Sequence, residues 1–383
     1  MSAVPTIAVV GTGPAGIAAA RHLRDQGGVR VVLVARDGRS EYLPGTLAVA
    51  TGDARAANYQ TRVELAGVEV IAAQVEAIEP GALRVGGSWL RAHAVIAAPG
   101  LALDPVGRAT GEETVGRATP GELVGFWDPT GAELAAPGIR AVEQGVVDVV
   151  ISSLPYRCPP APYGLAMRLA RRARQLGQQL QVRLVTPEEH PLAALGSALG
   201  DALLAGCQDA GVEVRLGAEF DPDALAGGAA PVGARDRDGA DLTIVIPRHR
   251  TSPLLANLVG ATSPLVAVDA RFATEMAGVF VVGDAAASPY PRAADPAAWS
   301  GTLAATAALS ELGFDEAQSA EAPAPDCFVD HGGGVYGRIR ITYPDGPPPG
   351  GHPAVAIDPA VPALATDFEE AQRRWHALRV EGE

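Results

Sequence analysis

Three groups of residues in this 383-residue sequence are of types and spacings that could do chemistry. The first is Gly11-Thr12-Gly13-Pro14-Ala15-Gly16. It follows an apolar run (6–10) and opens a stretch of small and apolar residues (17–26), so the pattern predicts a strand, a tight turn and a helix. In that setting the first glycine makes the turn, the second lets a pyrophosphate approach the backbone, and the third lets the helix pack closely. The helix N-terminus adds free N–H groups and a favourable dipole for phosphate. The second group is Gly283-Asp284, closing the apolar run 278–282. A carboxylate at a strand end is an acceptor suited to sugar or polyol hydroxyls, although Gly-Asp after a strand is also a common turn. The third group is the cysteines, and three of them do not make a structural disulfide framework. Cys158 lies among Pro155, Pro159, Pro160 and Pro162, close to a predicted helix start where a thiolate is favoured. Cys207, near Leu203 and Leu204 on the apolar side of a predicted helix (195–210), reads as core. Cys327 sits in the polar run Asp326 to His331. Read alone, Cys158 and Cys327 are each a buried thiol.

The elements that must position these groups follow from hydrophobic period and turn residues. A strand at 30–35 completes a strand-helix-strand unit of crossover length, and runs at 68–72 and 94–97 add strands, the latter ending in Ala98-Pro99-Gly100. A second unit has strands at 146–152, 181–185 and 212–216, with helices at 164–176 and 195–210. Strands at 242–246 and 279–282 lead back to the first unit. The tail holds a strand (337–343), a Pro/Gly loop and a helix (366–380). The fold class is therefore α/β: two Rossmann-like, three-layer dinucleotide-fold domains plus a C-terminal α+β cap or interface domain. The expected boundaries are 1–108 with 249–316 for the first domain, 109–248 for the second, and 317–383 for the cap, with an Ala/Pro/Glu-biased linker at 311–325. The turn of the second unit has prolines and bulky side chains where glycines would admit a pyrophosphate, so NAD(P)H is not expected as redox partner.

Composition narrows the function classes. A formal charge of −14 and a pI near 5.0 would repel nucleic acid and anionic membrane surfaces. No apolar run is long enough to span a bilayer and no export signal precedes the first strand. The expectation is a soluble cytoplasmic protein, or a periplasmic one from which an export signal was removed. No metal site is expected, and without Cys-x-x-Cys-His no haem is attached.

The segment Pro155-Tyr156-Arg157-Cys158-Pro159-Pro160-Ala161-Pro162-Tyr163 resembles the signature of the flavoprotein subunit of flavocytochrome c sulfide dehydrogenase, a relative of the sulfide:quinone oxidoreductases. The order of elements is similar along nearly the whole chain. Tyr42-Leu43-Pro44-Gly45 lies where that family touches its flavin, Phe126-Trp127 falls in its aromatic interdomain segment, Ile246-Pro247 ends the return strand, and Cys327 with Tyr336-Gly337 is similar to its C-terminal cysteine segment. The resemblance implies FAD, held by the glycine turn, by Ala98-Pro99-Gly100 and by Gly283-Asp284, whose carboxylate accepts from the ribityl chain. With no cysteine near Gly45 the FAD should be non-covalent. The resemblance further implies that Cys158 and Cys327 form a redox-active disulfide over the flavin, attacked by sulfide or another small sulfur nucleophile. Electrons would leave to a separate cytochrome c-like acceptor. The alternatives are a sulfide:quinone oxidoreductase, with a quinone as acceptor, and a flavin-binding redox sensor or partner subunit that does not turn over. A homodimer is left open.

The sequence departs from the pattern in two places. The strand-end acid that should bind the adenosine ribose is Ala35, followed by Arg36 and Asp37; Asp37 or backbone groups could substitute, and Arg36 could stack on adenine or hold a phosphate. Gly164 stands where the flavocytochrome proteins carry a glutamate acid/base, leaving His331, water or another carrier for the proton. Trp299 is expected to pack near the flavin entrance or to fill the core. His249, between Arg248 and Arg250, reads as part of a solvated basic patch. The last helix, with Glu369, Glu370, Arg373, Arg374 and Arg379, gives membrane attachment little support, and Trp375 reads as its packing anchor.

Overall fold

A computed structural model describes residues 4–106, 122–218, 239–259, 264–314, 322–348 and 350–381. The expected domain boundaries near 108 and 316, and the middle of the expected linker, lie outside the described residues. The first sheet is parallel throughout, in the order Val279–Val281, Ala94–Ala97, Thr6–Val10, Arg30–Ala35, Val68–Ala72. Its central strands are near-continuous Val, Ile and Ala and are buried on both faces, the composition a covered parallel sheet demands. The helices Pro14–Gln26 and Ala294–Glu311 pack together, and small residues let them: a Cβ on Gly301 would lie 2.0 Å from the Ala15 carbonyl oxygen. A small antiparallel sheet, Val75–Glu79, Ala82–Val85 and Ser88–Arg91, adds Ile78 and Leu83 to the same core.

The second sheet is also parallel, in the order Glu122–Gly125, Leu242–Ile246, Gln144–Ile151, Gln179–Val185, Glu213–Arg215. The helices Pro129–Ala141, Ala161–Leu176 and Ser197–Asp209 belong to this unit. Within the sheet Arg183 and Asp148, 3 % and 1 % exposed, form a two-pronged pair across neighbouring strands, with N–O distances of 2.5 and 2.8 Å. An antiparallel pair, Leu101–Leu103 with His249–Thr251, ties the two units together. The architecture is thus two Rossmann-like units and an α+β tail, as the sequence predicts.

The tail is richer than its pattern suggests. The predicted strand is Val335–Thr342, and it is the middle member of a three-stranded antiparallel sheet with Asp326–Gly332 and Ala354–Val361. Cys327 is therefore on a strand. The first of these strands runs across the helix Ala161–Leu176 so closely that a Cβ on Gly164 would lie 2.9 Å from the Asp330 carbonyl oxygen. That contact is a physical reason for glycine here, since a glutamate would have to displace the strand. Arg168, 7 % exposed, fastens the same helix to the tail through Asp330 and to the first unit through Asp53 and Thr51.

Candidate functional site

The glycine turn is built as a cradle. Gly11 has φ +100°, donates its amide to the Val34 carbonyl at 2.8 Å, and has the Ala98 carbonyl oxygen 2.2 Å from where a Cβ would stand. Gly16 presses on the turn in the same way, its Cβ position 1.9 Å from the Gly11 carbonyl oxygen. A Cβ on Gly13 would meet nothing within 4 Å, and this residue caps the helix with no side chain satisfying the first amides. With Pro14 in the first turn, this helix N-terminus keeps its first amides free of any side-chain cap. Ala15 is buried, and Gly283 approaches it to 3.2 Å, measured from the Cβ position. Ala98, Pro99 and Gly100 continue from a neighbouring strand, so three chain segments meet at the carboxyl end of the first sheet. Ala35 ends its strand buried, while Arg36 and Asp37 are exposed and Asp37 accepts from the Arg39 amide at 3.0 Å, capping its own turn.

Around Asp284 the chain gathers polar groups that it does not pair. Burial raises the Asp284 pKa, and the Arg157 and Arg292 charges work against that rise. Arg157 is fixed by a reciprocal exchange with Trp127, whose indole donates to the Arg157 carbonyl at 2.9 Å while the guanidinium donates to the Trp127 carbonyl at 2.6 Å. Yet Arg157 Nε, Arg292 Nε and His249 Nε2 are buried without a hydrogen-bond partner, as is Thr46 Oγ1 after the Pro44-Gly45 turn. His249 is 3 % exposed, and burial lowers its pKa to about 3, so it is a neutral buried imidazole. The expected solvated basic patch is corrected accordingly: Arg248 and Arg250 bind Asp104, and His249 turns inward. A small cavity lined by Phe272, Asp284, Tyr290, Arg292 and Ser300 opens beside the carboxylate. Trp299 meets Phe272 and Tyr290 edge-on, with ring centroids 5.6 and 5.2 Å apart. Pro44 is exposed and Gly45 buried against Tyr59.

The cysteine pair implied by the resemblance is not formed. Cys158, Cys207 and Cys327 are all free thiols, and no two stand near disulfide distance. Cys158 is held at φ 57° in its proline-bracketed turn, its amide donating to the Arg292 carbonyl at 3.0 Å, whereas Cys327 is fixed on a strand opposite Ile339. Two separately anchored backbones leave the sulfurs apart. Neither is a thiolate: burial pushes Cys158 up to about 11 against the pull of Arg157, and raises Cys327 further, with the nearby Cys158 adding to the effect. The reading of Cys158 as a stabilised thiolate, and the sulfide mechanism through a Cys158–Cys327 disulfide, are overturned. Cys207 is 0 % exposed with its pKa raised to about 12 by burial, a core residue. Unfolded in denaturant without reductant, the protein is expected to titrate three thiols per chain; a count of one would restore the disulfide.

No family model and no curated protein matches the sequence. Solved structures do match. The sulfide:quinone oxidoreductase from the hyperthermophilic bacterium Aquifex aeolicus superposes with a TM-score of 0.78 at 16 % identity, covering 98 % of this chain and 91 % of that one. The reductase of a covalent putidaredoxin reductase–putidaredoxin complex gives 0.61 at 18 %, over 98 % and 96 % of the two chains. The NADH:rubredoxin oxidoreductase from Clostridium acetobutylicum gives 0.56 at 14 %, over 96 % and 95 %. At these identities the likeness is one of fold, and the chain shares that fold over nearly its whole length.

In open parallel sheets of this kind the ligand crevice lies at the carboxyl ends of the strands, for the second sheet as for the first. Beyond two strands of the second sheet the chain builds a buried network there. The Glu188 carboxylate accepts from Tyr163 at 2.6 Å, Thr186 at 3.0 Å, Tyr156 at 3.3 Å and the Leu192 amide at 3.0 Å, all buried. Both tyrosine pKa values are raised, first by burial and then by Glu188. Glu188, Arg292 and Thr46 carried no signal in the sequence; only the strand-end position of Glu188 could have drawn notice. His331, the suggested proton carrier, lies on the tail strand with its pKa lowered to about 4 by burial and its Nδ1 unpartnered. Among the described residues no helix is long and apolar enough to cross a membrane, and no cluster could hold a metal ion.

Proposed function

We propose that this chain holds FAD non-covalently at the carboxyl end of its first sheet and works as a flavin-dependent oxidoreductase whose electrons do not come from NAD(P)H. The observation that carries the reading is the set of buried groups left unpartnered near Asp284, beside a helix N-terminus that no side chain caps: Arg157 Nε and Arg292 Nε, with His249 Nε2 next to the same two arginines. Buried polar groups are normally satisfied, and orphans cost about 1–3 kcal/mol each. Their clustering fits a ligand rich in hydrogen-bonding atoms, and the isoalloxazine and ribityl groups of a flavin are one.

Bound FAD supplies two-electron redox chemistry; the chain supplies placement. Gly11, Gly13, Pro14, Ala15 and Gly16 receive the pyrophosphate, with Ala35 and Arg36 at the adenosine end. Asp284, next to Gly283, accepts from ribityl hydroxyls, and Pro44-Gly45, Ala98-Pro99-Gly100 and Trp299 border the ring. Arg157 and Arg292 place positive charge beside the ring. Cys158 and Cys327 remain as protonated thiols near it.

The test is direct. The purified protein is expected to be yellow and to release free FAD on acid denaturation, because no cysteine near Gly45 could form a covalent link. Asp284→Ala is expected to weaken FAD binding by about 1.5–3 kcal/mol, the loss of a charged acceptor. A colourless protein that takes up no added FAD would end the proposal, and unchanged affinity in the variant would remove Asp284 from the site. NADH and NADPH are expected to leave the flavin oxidised, since Glu188 and two tyrosines form a buried network beyond the strands of the second sheet. Rapid bleaching by either would refute that part alone.

A further inference from the structure

Arg379 lies just beyond the last helix, Leu364–Ala377, and is 2 % exposed, one of the largest fully buried side chains of the protein. In the sequence it is one of five charged residues that count against membrane attachment of that helix. In the fold its guanidinium sits over the Trp375 ring, 4.5 Å from the centroid, and donates from Nη1 to the Trp375 carbonyl at 2.8 Å. Its Nε donates to Ser40 Oγ at 2.7 Å, and Ser40 Oγ donates to the Thr12 carbonyl, also at 2.7 Å. Thr12 lies inside the glycine turn, and its own hydroxyl binds the Arg39 carbonyl. Among the described residues no carboxylate pairs with Arg379. Burial alone pushes its pKa down, yet a guanidinium keeps its proton at neutral pH. A cation in this position is costly unless an anion is near, and stacking on Trp375 offsets only part of that.

We propose that Arg379 is a positioning residue for the dinucleotide: acting through Ser40, it fixes the Thr12 carbonyl and so the aim of the turn amides, and its charge faces the cofactor's pyrophosphate from behind the turn. The proposal rests on the FAD reading above. The rest of the tail is built to hold the arginine there. The Glu64 amide donates to the Arg379 carbonyl at 2.8 Å, the Glu381 amide to the Glu64 carbonyl at 3.0 Å, and the Glu381 carboxylate binds Arg21 and Arg24 on the helix that follows the turn, at 2.5 Å each. Ahead of it, Trp375 packs on Tyr42 with ring centroids 5.4 Å apart, bracing the segment from Ser40 to Gly45 at its other end. The strand-end acid that usually grips the adenosine ribose is Ala35 here, so a cation behind the phosphates supports the end of the ligand that lacks its usual anchor.

The experiment measures FAD and ADP affinity of the full chain stripped of flavin, together with its thermal midpoint, for wild type, Arg379→Met, Arg379→Lys and Ser40→Ala. Methionine keeps much of the stem that packs on Trp375 and removes the charge. The expected result is a tenfold or greater loss of affinity for both ligands in Arg379→Met, partial recovery in Arg379→Lys, and a smaller loss in Ser40→Ala, with ligand-free midpoints within a few degrees of wild type. A purely structural role would lower the midpoint and would not follow the charge. Wild-type affinity for ADP in Arg379→Met overturns the proposal; should that variant fail to fold, wild-type affinity in Ser40→Ala does so. A wild-type chain that binds neither FAD nor ADP is a different outcome, one that overturns the flavin reading and this proposal with it.

Discussion

Gly16→Ala is expected to abolish the proposed FAD binding and to destabilise the protein, whereas Gly13→Ala is expected to do only the first. The ideal Cβ at Gly16 would stand 1.9 Å from the Gly11 carbonyl oxygen, and that oxygen has nowhere to go: Gly11 is tied to Val34 on one side and pressed by Ala98 on the other. Helix and turn must separate by more than an ångström. Overpacking of this kind costs about 1–3 kcal/mol of stability, and it moves the amides that on the proposed reading receive the pyrophosphate, for which a hundredfold loss, about 2.7 kcal/mol, is the expected scale. At Gly13 the added methyl meets no protein atom within 4 Å, so the thermal midpoint should hold while the methyl occupies the ligand's space. Spectral titration with FAD and thermal melts of the flavin-free protein separate the two. Equal affinity in Gly13→Ala and wild type would show that no phosphate lies over this turn.

The second large effect concerns the pair inside the second sheet. Arg183→Leu is expected to cost about 3–5 kcal/mol, because it leaves the Asp148 carboxylate, 1 % exposed, without its partner. Asp148→Leu should cost a similar amount. The double variant with leucine at both positions should recover most of the loss, since a buried pair replaced by apolar side chains is often close to neutral in stability. Urea melts of the four proteins decide it. Losses that simply add in the double variant would mean that the two side chains do not act as a pair.

How much of this was legible in the sequence depended on how local each feature was. The glycine turn, the strand before it and the helix after it are adjacent in sequence and follow from residue types alone, as do four strands of the second sheet and its proline-rich turn; the edge strand Glu122–Gly125 was missed, and Leu242–Ile246, read as leading back to the first unit, lies inside the second sheet. The helix Ala294–Glu311 escaped because Ala, Gly and Ser on nearly all sides leave no amphipathic period, the condition of a helix buried all round. The tail sheet escaped because Asp330, His331 and three glycines mask a strand. His249 reads as part of a solvated patch because charged runs usually are, and nothing in the sequence marks Arg379 as buried; the burial of both depends on contacts with segments far away in the chain. The same limit applied to Cys158 and Cys327. Family likeness could propose their bond, but only the fixed positions of a proline turn and a strand could decide against it.

The buried network around Glu188 has a thermodynamic consequence. A ligand that dissociates stabilises its site in proportion to the logarithm of its concentration. Glu188 belongs to the chain and cannot leave, so the network around it does not depend on the concentration of any ligand. The first unit is the opposite case: on the reading proposed here its cradle and its orphaned polar groups are completed only by a cofactor. The two halves of one duplicated architecture would thus differ in what their persistence depends on, one on the chain alone and the other on the supply of FAD.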